Sequence, residues 1–85
     1  MTPSKLQLYY FESCPYCQLV LNVIKDLGIK VTYCDTLKDP QHREKLIKDT
    51  GRQTVPCLYI DEVPMHESRD IMAWLKQNAA NLPKE

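Results

Sequence analysis

The run LQLYYF at 6–11 places aliphatic and aromatic residues at both alternating positions, the pattern of a strand covered on each face, and predicts a first, central strand. After it, Leu19, Val20, Val23, Ile24 and Leu27 recur at helical spacing. Pro15 suits the first helical position and Gly28 a left-handed stop, so a helix of about three turns is predicted between them. KVTYC at 30–34 carries β-branched and aromatic residues and reads as a second strand, reached by a crossover that favours parallel pairing. In DPQHREKLIKDTG, Asp39 is a candidate N-cap, Pro40 a first helical residue and Gly51 the stop. Its apolar stripe rests mainly on Leu46 and Ile47, which predicts a shallowly packed helix. VPCLYI at 55–60 and VPM at 63–65 flank Asp61 and Glu62, as expected for two short strands joined by a hairpin, and Pro64 places the second at a sheet edge. Ser68 then caps a last helix with Ile71, Trp74 and Leu75 on one face. The predicted order, βαβαββα, is an α/β fold: a four-stranded mixed sheet flanked by three helices. No internal repeat, linker or low-complexity segment interrupts it.

At 85 residues the chain is expected to be one domain, 1–85, with a single modest core. Eleven basic and eleven acidic residues cancel, so no overall attraction for nucleic acid or an anionic membrane is expected. The start, MTPSKLQLYYFESC, lacks the long apolar stretch of a secretory signal, and no apolar run approaches the roughly 20 residues of a membrane-spanning helix. These features predict a soluble, cytoplasmic chain, and a monomer is expected.

Four cysteines change the picture, because Cys14 and Cys17 stand three residues apart in FESCPYCQLVL, between the strand and the helix. Such a pair can bind metal, staple a fold or exchange electrons. The predicted elements look able to build a core without staples. A structural zinc site needs four ligands, and Cys34, Cys57, His42 and His66 form no second compact pair, so no metal is expected. The helix-starting proline favours redox chemistry. With Pro15 first in the helix, Cys14 is its N-cap, and the N–H groups of Tyr16 and Cys17 are expected to aim at the sulfur. Those donors and the positive helix end favour a thiolate, and cysteines so placed ionise well below the ordinary thiol range. Residues i and i+3 share a helix face, so Cys17 can close a disulfide with Cys14. Further inside the helix, Cys17 is expected to be less exposed and to resolve the mixed disulfide formed at Cys14.

CPYC at 14–17 after a hydrophobic strand, TGRQTVP at 50–56 before another, and HESRDI opening the last helix together resemble a dithiol glutaredoxin, of thioredoxin-like fold. The resemblance runs from Leu6 to about Asn78. It implies a thiol–disulfide oxidoreductase that takes glutathione as cosubstrate and acts on disulfide-bearing or glutathionylated proteins. It also implies a cis Pro56 against the Cys14 sulfur, within a Thr54–Val55–Pro56 segment whose Val55 backbone pairs with the cysteinyl part of glutathione. Tyr16 would flank the bound tripeptide, and Arg52 or Gln53 would reach its glycyl carboxylate.

Two departures stand out. Phe11 occupies a position where many glutaredoxins carry lysine, and the family's usual Gly-Gly pair is replaced by His66-Glu67. Glu67-Ser68 instead resembles the Glu-Ser pair with which glutathione transferases hold the γ-glutamyl end, Ser68 meeting the carboxylate and Glu67 the ammonium. Cys34 and Cys57 read as core fillers, and His42 and His66 as surface residues. Three rival readings follow from the same residues. A glutathione transferase needs a helical second domain, and the chain ends where that would begin. A redoxin served by thioredoxin reductase would share the dithiol, and an iron–sulfur carrier built on a glutaredoxin dimer is disfavoured by the stiff Pro15.

Overall fold

The computed structural model describes residues 5–85. Strand β1 (Leu6–Tyr10), helix α1 (Pro15–Leu27) and strand β2 (Thr32–Asp35) form the opening βαβ unit. Helix α2 (Pro40–Thr50), strands β3 (Cys57–Ile60) and β4 (Val63–Met65) and helix α3 (Ser68–Asn78) follow, with a short 3-10 turn at Ala79–Asn81. The sheet order is β2-β1-β3-β4; β1 and β2 run parallel and the other pairs antiparallel. This is the predicted α/β arrangement, with β1 interior and β4 at an edge.

Punctuation in the sequence accounts for most of the element ends. Gly28 adopts φ 67°, and the N–H groups of Gly28 and Ile29 turn back to Lys25 and Ile24, closing α1 with a left-handed cap. Asp39 caps α2 by accepting from the Gln41 N–H at 2.9 Å. Asp61 and Glu62 both have positive φ, 47° and 73°, as a two-residue hairpin of matching twist requires. Strand bounds differ from expectation by one or two residues. β1 stops at Tyr10 because Phe11 already turns, its carbonyl accepting the Cys14 N–H at 3.2 Å. β3 starts at Cys57 rather than Val55, since Pro56 has no N–H to give a ladder.

The alternation of β1 divides the interior. Leu6 and Leu8 join Val20, Ile24, Ile71 and Leu75 in a core under α1 and α3, with Trp74 packed partly against it. Tyr9 faces the other way into a smaller cluster with Cys34, Cys57, Tyr59 and Leu46, the one buried residue of α2. Cys34 and Cys57 therefore sit in the packing under α2. The Tyr9 and Tyr59 rings stack at 4.7 Å, and the Tyr59 hydroxyl donates to Asp49 Oδ2 at 2.9 Å. Lys45 pairs with the same carboxylate at 2.8 Å and lies 5.3 Å above the Tyr59 ring. A single leucine and this exposed-side network hold α2, which is the shallow packing its sequence predicts.

Candidate active site

The Cys14 backbone is extended (φ −80°, ψ 116°), and its carbonyl accepts the first helical bond, from the Gln18 N–H at 3.0 Å. Its sulfur accepts the Cys17 N–H at 3.3 Å. The structure shows this one donor, whereas the sequence pointed to the Tyr16 N–H as well. All four cysteines are free thiols. Cys14 keeps 6% of its surface and Cys17 none, so an incoming disulfide meets the first sulfur and not the second.

Burial pushes the Cys17 thiol up to about 12, and the hydrogen bond it shares with the Cys14 sulfur adds to the shift, against a main-chain hydrogen bond from Phe11. At neutral pH Cys17 thus keeps its proton beside the more accessible sulfur of Cys14. Burial likewise raises Cys34, and it takes Cys57 to about 11. Both are inert packing groups at neutral pH.

A cavity of about 320 Å³ opens where three chain segments meet. Tyr16, from the first turn of α1 and 63% exposed, forms one wall; Thr54, Val55 and Pro56 form the second; Glu67 and Ser68 form the third. The Val55–Pro56 peptide bond is cis. Thr54 and Val55 lie outside the β1–β3 register, so the sheet does not use their main-chain groups.

The third wall differs from expectation. Ser68 is the first residue of α3 rather than its cap; Glu67 holds the cap position at φ 71°, ψ 111°, without a side-chain capping bond. The first helical bond runs from the Ile71 N–H to the Glu67 carbonyl at 3.0 Å, which leaves the N–H groups of Ser68, Arg69 and Asp70 without helical partners. Free donors and the helix dipole favour an anion at this wall. The positive φ is a backbone region that glycine takes freely and glutamate does not, so Glu67 sits here under local strain.

Arg52 and Gln53 are exposed and do not line the cavity. Gln53 Oε1 instead accepts from Arg43 Nε at 2.7 Å, which brings a cation from α2 to this segment. Arg43 was not apparent from sequence, where it is one more charge on a polar helix. His66 is half-buried rather than a plain surface residue. Burial, then the Arg52 charge, lowers its pKa, and its Nε2 has no hydrogen-bond partner among the described residues. Among the described residues no group of three histidine, cysteine or acidic side chains could hold a metal ion, and no helix is long and apolar enough to cross a membrane.

A reduced cysteine pair at the N-terminus of a helix whose first turn, through Tyr16, walls a cavity together with a cis-proline segment defines a thioredoxin-like protein. Residues 8–83 match the family model described as the glutathione S-transferase N-terminal domain. Glutaredoxin 3 of Escherichia coli (strain K12) is 31% identical over 58 residues, covering 68% of this chain and 70% of its own. A probable glutaredoxin of Synechocystis sp. is 24% identical, covering 82% and 81%. Among solved structures, an epsilon-class glutathione S-transferase from the housefly, Musca domestica, superposes with a TM-score of 0.77 at 27% identity, over 88% of this chain and 35% of its own. A thioredoxin-like protein superposes with a TM-score of 0.73 at 25% identity, over 86% and 96%. The chain spans about a third of the transferases it resembles and most of the glutaredoxins. It belongs to the glutaredoxin family, in the thioredoxin-like fold that it shares with the glutathione S-transferase N-terminal domain.

Proposed function

We propose that the protein is a glutathione-dependent thiol–disulfide oxidoreductase of reducing compartments such as the cytoplasm, with Cys14 as nucleophile and Cys17 as resolving thiol. The observation that carries this reading is the Cys14 sulfur at the start of α1, taking the Cys17 N–H at 3.3 Å with a fully buried thiol behind it. The relationship to glutaredoxins supports it.

With a glutathionylated protein, the Cys14 thiolate attacks the glutathione sulfur. A Cys14–glutathione disulfide forms, the protein–glutathione bond breaks, and the protein sulfur leaves as a thiolate that takes up a proton. A second glutathione, as thiolate, attacks the bound glutathione sulfur, releasing glutathione disulfide and the Cys14 thiolate. With a protein disulfide, the Cys14 thiolate attacks one protein sulfur, the other leaves as a thiolate that takes up a proton, and Cys17 then attacks the Cys14 sulfur of the mixed disulfide. The Cys17 proton passes to the departing protein sulfur, and two glutathiones then reopen the Cys14–Cys17 bond.

The cavity supplies a complementary surface for the tripeptide. Val55 offers main-chain groups for strand-like pairing with its cysteinyl unit, Ser68 and the α3 N–H groups suit its γ-glutamyl carboxylate, Glu67 suits its ammonium, and Tyr16 flanks it. The exposed Arg52, two residues before Thr54, and Arg43, held to the segment through Gln53, are the cations suited to the glycyl carboxylate. Glutathione-coupled reduction of a small glutathione mixed disulfide tests the reading; absence of turnover would overturn it.

A transferase reading draws on the matched family model and the Glu67-Ser68 pair. It does not need two thiols at 14 and 17. Conjugation of a standard electrophile at a substantial rate, undiminished in Cys14→Ser, would favour it.

A further inference from the structure

A second concavity is lined by Glu12 and Gln18, which flank the Cys14–Cys17 pair in the chain. A shallow groove of about 530 Å³ runs between α1 and the edge strand β2, lined by Tyr10, Glu12, Gln18, Leu21 and Tyr33. Gln18 and Leu21 continue the helix stripe that starts at Cys14, and helical rise puts them about 6 and 10 Å along the axis from it. The floor is aromatic: the Tyr10 and Tyr33 rings meet edge-on at 5.9 Å, and Tyr33 is 43% exposed. The Gln18 side chain donates to the Glu12 carbonyl at 2.7 Å, tying the rim to the helix.

The charges around the groove are mostly negative. Burial raises both tyrosines above the ordinary range, and the carboxylates that add to the shift are Asp35 and Glu12 at Tyr10 and Glu85 at Tyr33. Lys38 opposes them, 3.6 Å from Glu12 in an exposed pair. Among the lining residues Glu12 carries the one formal charge, Asp35 and Glu85 stand close enough to act on the two tyrosines, and with the exposed Tyr33 ring they complement a cation. The occupant must also belong to something that presents a disulfide to Cys14. An extended peptide advances about 3.3 Å per residue, so the groove lies two or three residues from a cysteine held at that sulfur.

We propose that this groove docks the polypeptide side of the substrate disulfide and takes a basic side chain two or three residues from the target cysteine. Arginine fits better than lysine, because its planar, weakly hydrated head stacks on the exposed Tyr33 ring while its N–H groups face Glu12. The inference rests on the oxidoreductase reading and adds a substrate class to it: glutathionylated or disulfide-bonded cysteines in basic sequence.

The test uses synthetic peptides glutathionylated at one cysteine, with Arg, Ala or Glu at the second and third positions on either side. At low ionic strength the Arg peptides should exceed the Glu peptides in kcat/KM by about three- to tenfold, and salt should narrow the gap. Glu12→Lys should remove or invert the preference, and Tyr33→Ser should weaken it, while turnover of a small glutathione mixed disulfide stays near the parent rate. Equal rates for Arg and Glu peptides in the parent protein, with the small substrate still turned over, would overturn the docking surface and leave the oxidoreductase reading intact. If no disulfide is turned over, the surface is still tested by titrating reduced Arg and Glu peptides against the protein. Amide shifts at Leu21 and Tyr33 with the Arg peptide alone support it, and their absence with both overturns it.

Discussion

The main-chain N–H of Cys17 aims at the Cys14 sulfur across 3.3 Å, while the Cys17 thiol itself is sealed from solvent. One residue thus supplies a donor to that sulfur and, in the proposed mechanism, the thiol that displaces its cargo. Substitution separates the two. Cys17→Ser keeps the N–H and removes the thiol, so release of glutathione from a small mixed disulfide should persist, while reduction of a protein disulfide by the dithiol route fails. Cys14→Ser should abolish both. Parallel glutathione-coupled assays on the two substrates check this, and equal losses in the two variants would contradict the division of labour.

Glu67 combines an unusual backbone geometry with a place in the cavity wall. Its φ of 71° is a region that glycine takes freely and glutamate does not. Glu67→Gly should therefore stabilise the fold, by about 1 kcal/mol as relief of such strain allows. The same change removes a carboxylate from the cavity wall and should raise KM for glutathione. Denaturant midpoints and glutathione kinetics on one variant read the two effects, which should have opposite signs; a gain in both would remove Glu67 from the ligand site.

Helix α2 hangs on one buried side chain. Leu46 is fully enclosed among Tyr9, Cys34, Cys57 and Tyr59, whereas Ile47 is 41% exposed. Leu46→Ala should cost about 2–5 kcal/mol, as for other buried leucines, and Ile47→Ala far less. Urea unfolding of both variants measures the contrast. Similar losses would mean that α2 packs through a broader face than the structure shows.

What could be read from the sequence follows from how local each signal is. Pro15 and Pro40, Gly28 and Gly51, and the Asp61–Glu62 spacer act within a few residues, and each marks its helix or hairpin where expected. The Cys14–Cys17 pairing is similarly local, one turn of helix. The cap of α3 was misplaced because Ser68 is a good capping residue and nothing in HESRD announces a positive φ at Glu67. Arg52 and Gln53 stood as the candidates for the glycyl carboxylate, and no local signal announces that Gln53 is held instead by Arg43 from α2, ten residues earlier in the chain. The cavity joins Tyr16, Thr54–Pro56 and Glu67–Ser68, and only the family resemblance brought those segments together beforehand. The groove beside α1 depends on Tyr10 and Tyr33 becoming neighbours through the β1–β2 register, for which no local signal exists.

The buried thiols also set how stability should depend on pH. Burial raises Cys17 from 9.0 to about 12 and Cys57 from 9.0 to about 11. In each case the folded protein holds a proton that the unfolded chain releases, so the unfolded state binds fewer protons above pH 9 and stability falls as pH rises. The stabilisation is complete below about pH 9, where thiols in both states are protonated, and is lost progressively between about pH 9 and 12. Tyr9, raised from 10.0 to about 12, acts in the same direction a little later. The urea midpoint of the reduced protein should thus fall on the alkaline side, beginning near pH 9, after allowance for the charge changes common to all variants. Cys17→Ala removes one of these titrations and should flatten the decline, as should formation of the Cys14–Cys17 disulfide. A midpoint that rises with pH, or a slope unchanged in Cys17→Ala, would show that the thiol behind Cys14 does not keep its proton in the folded chain.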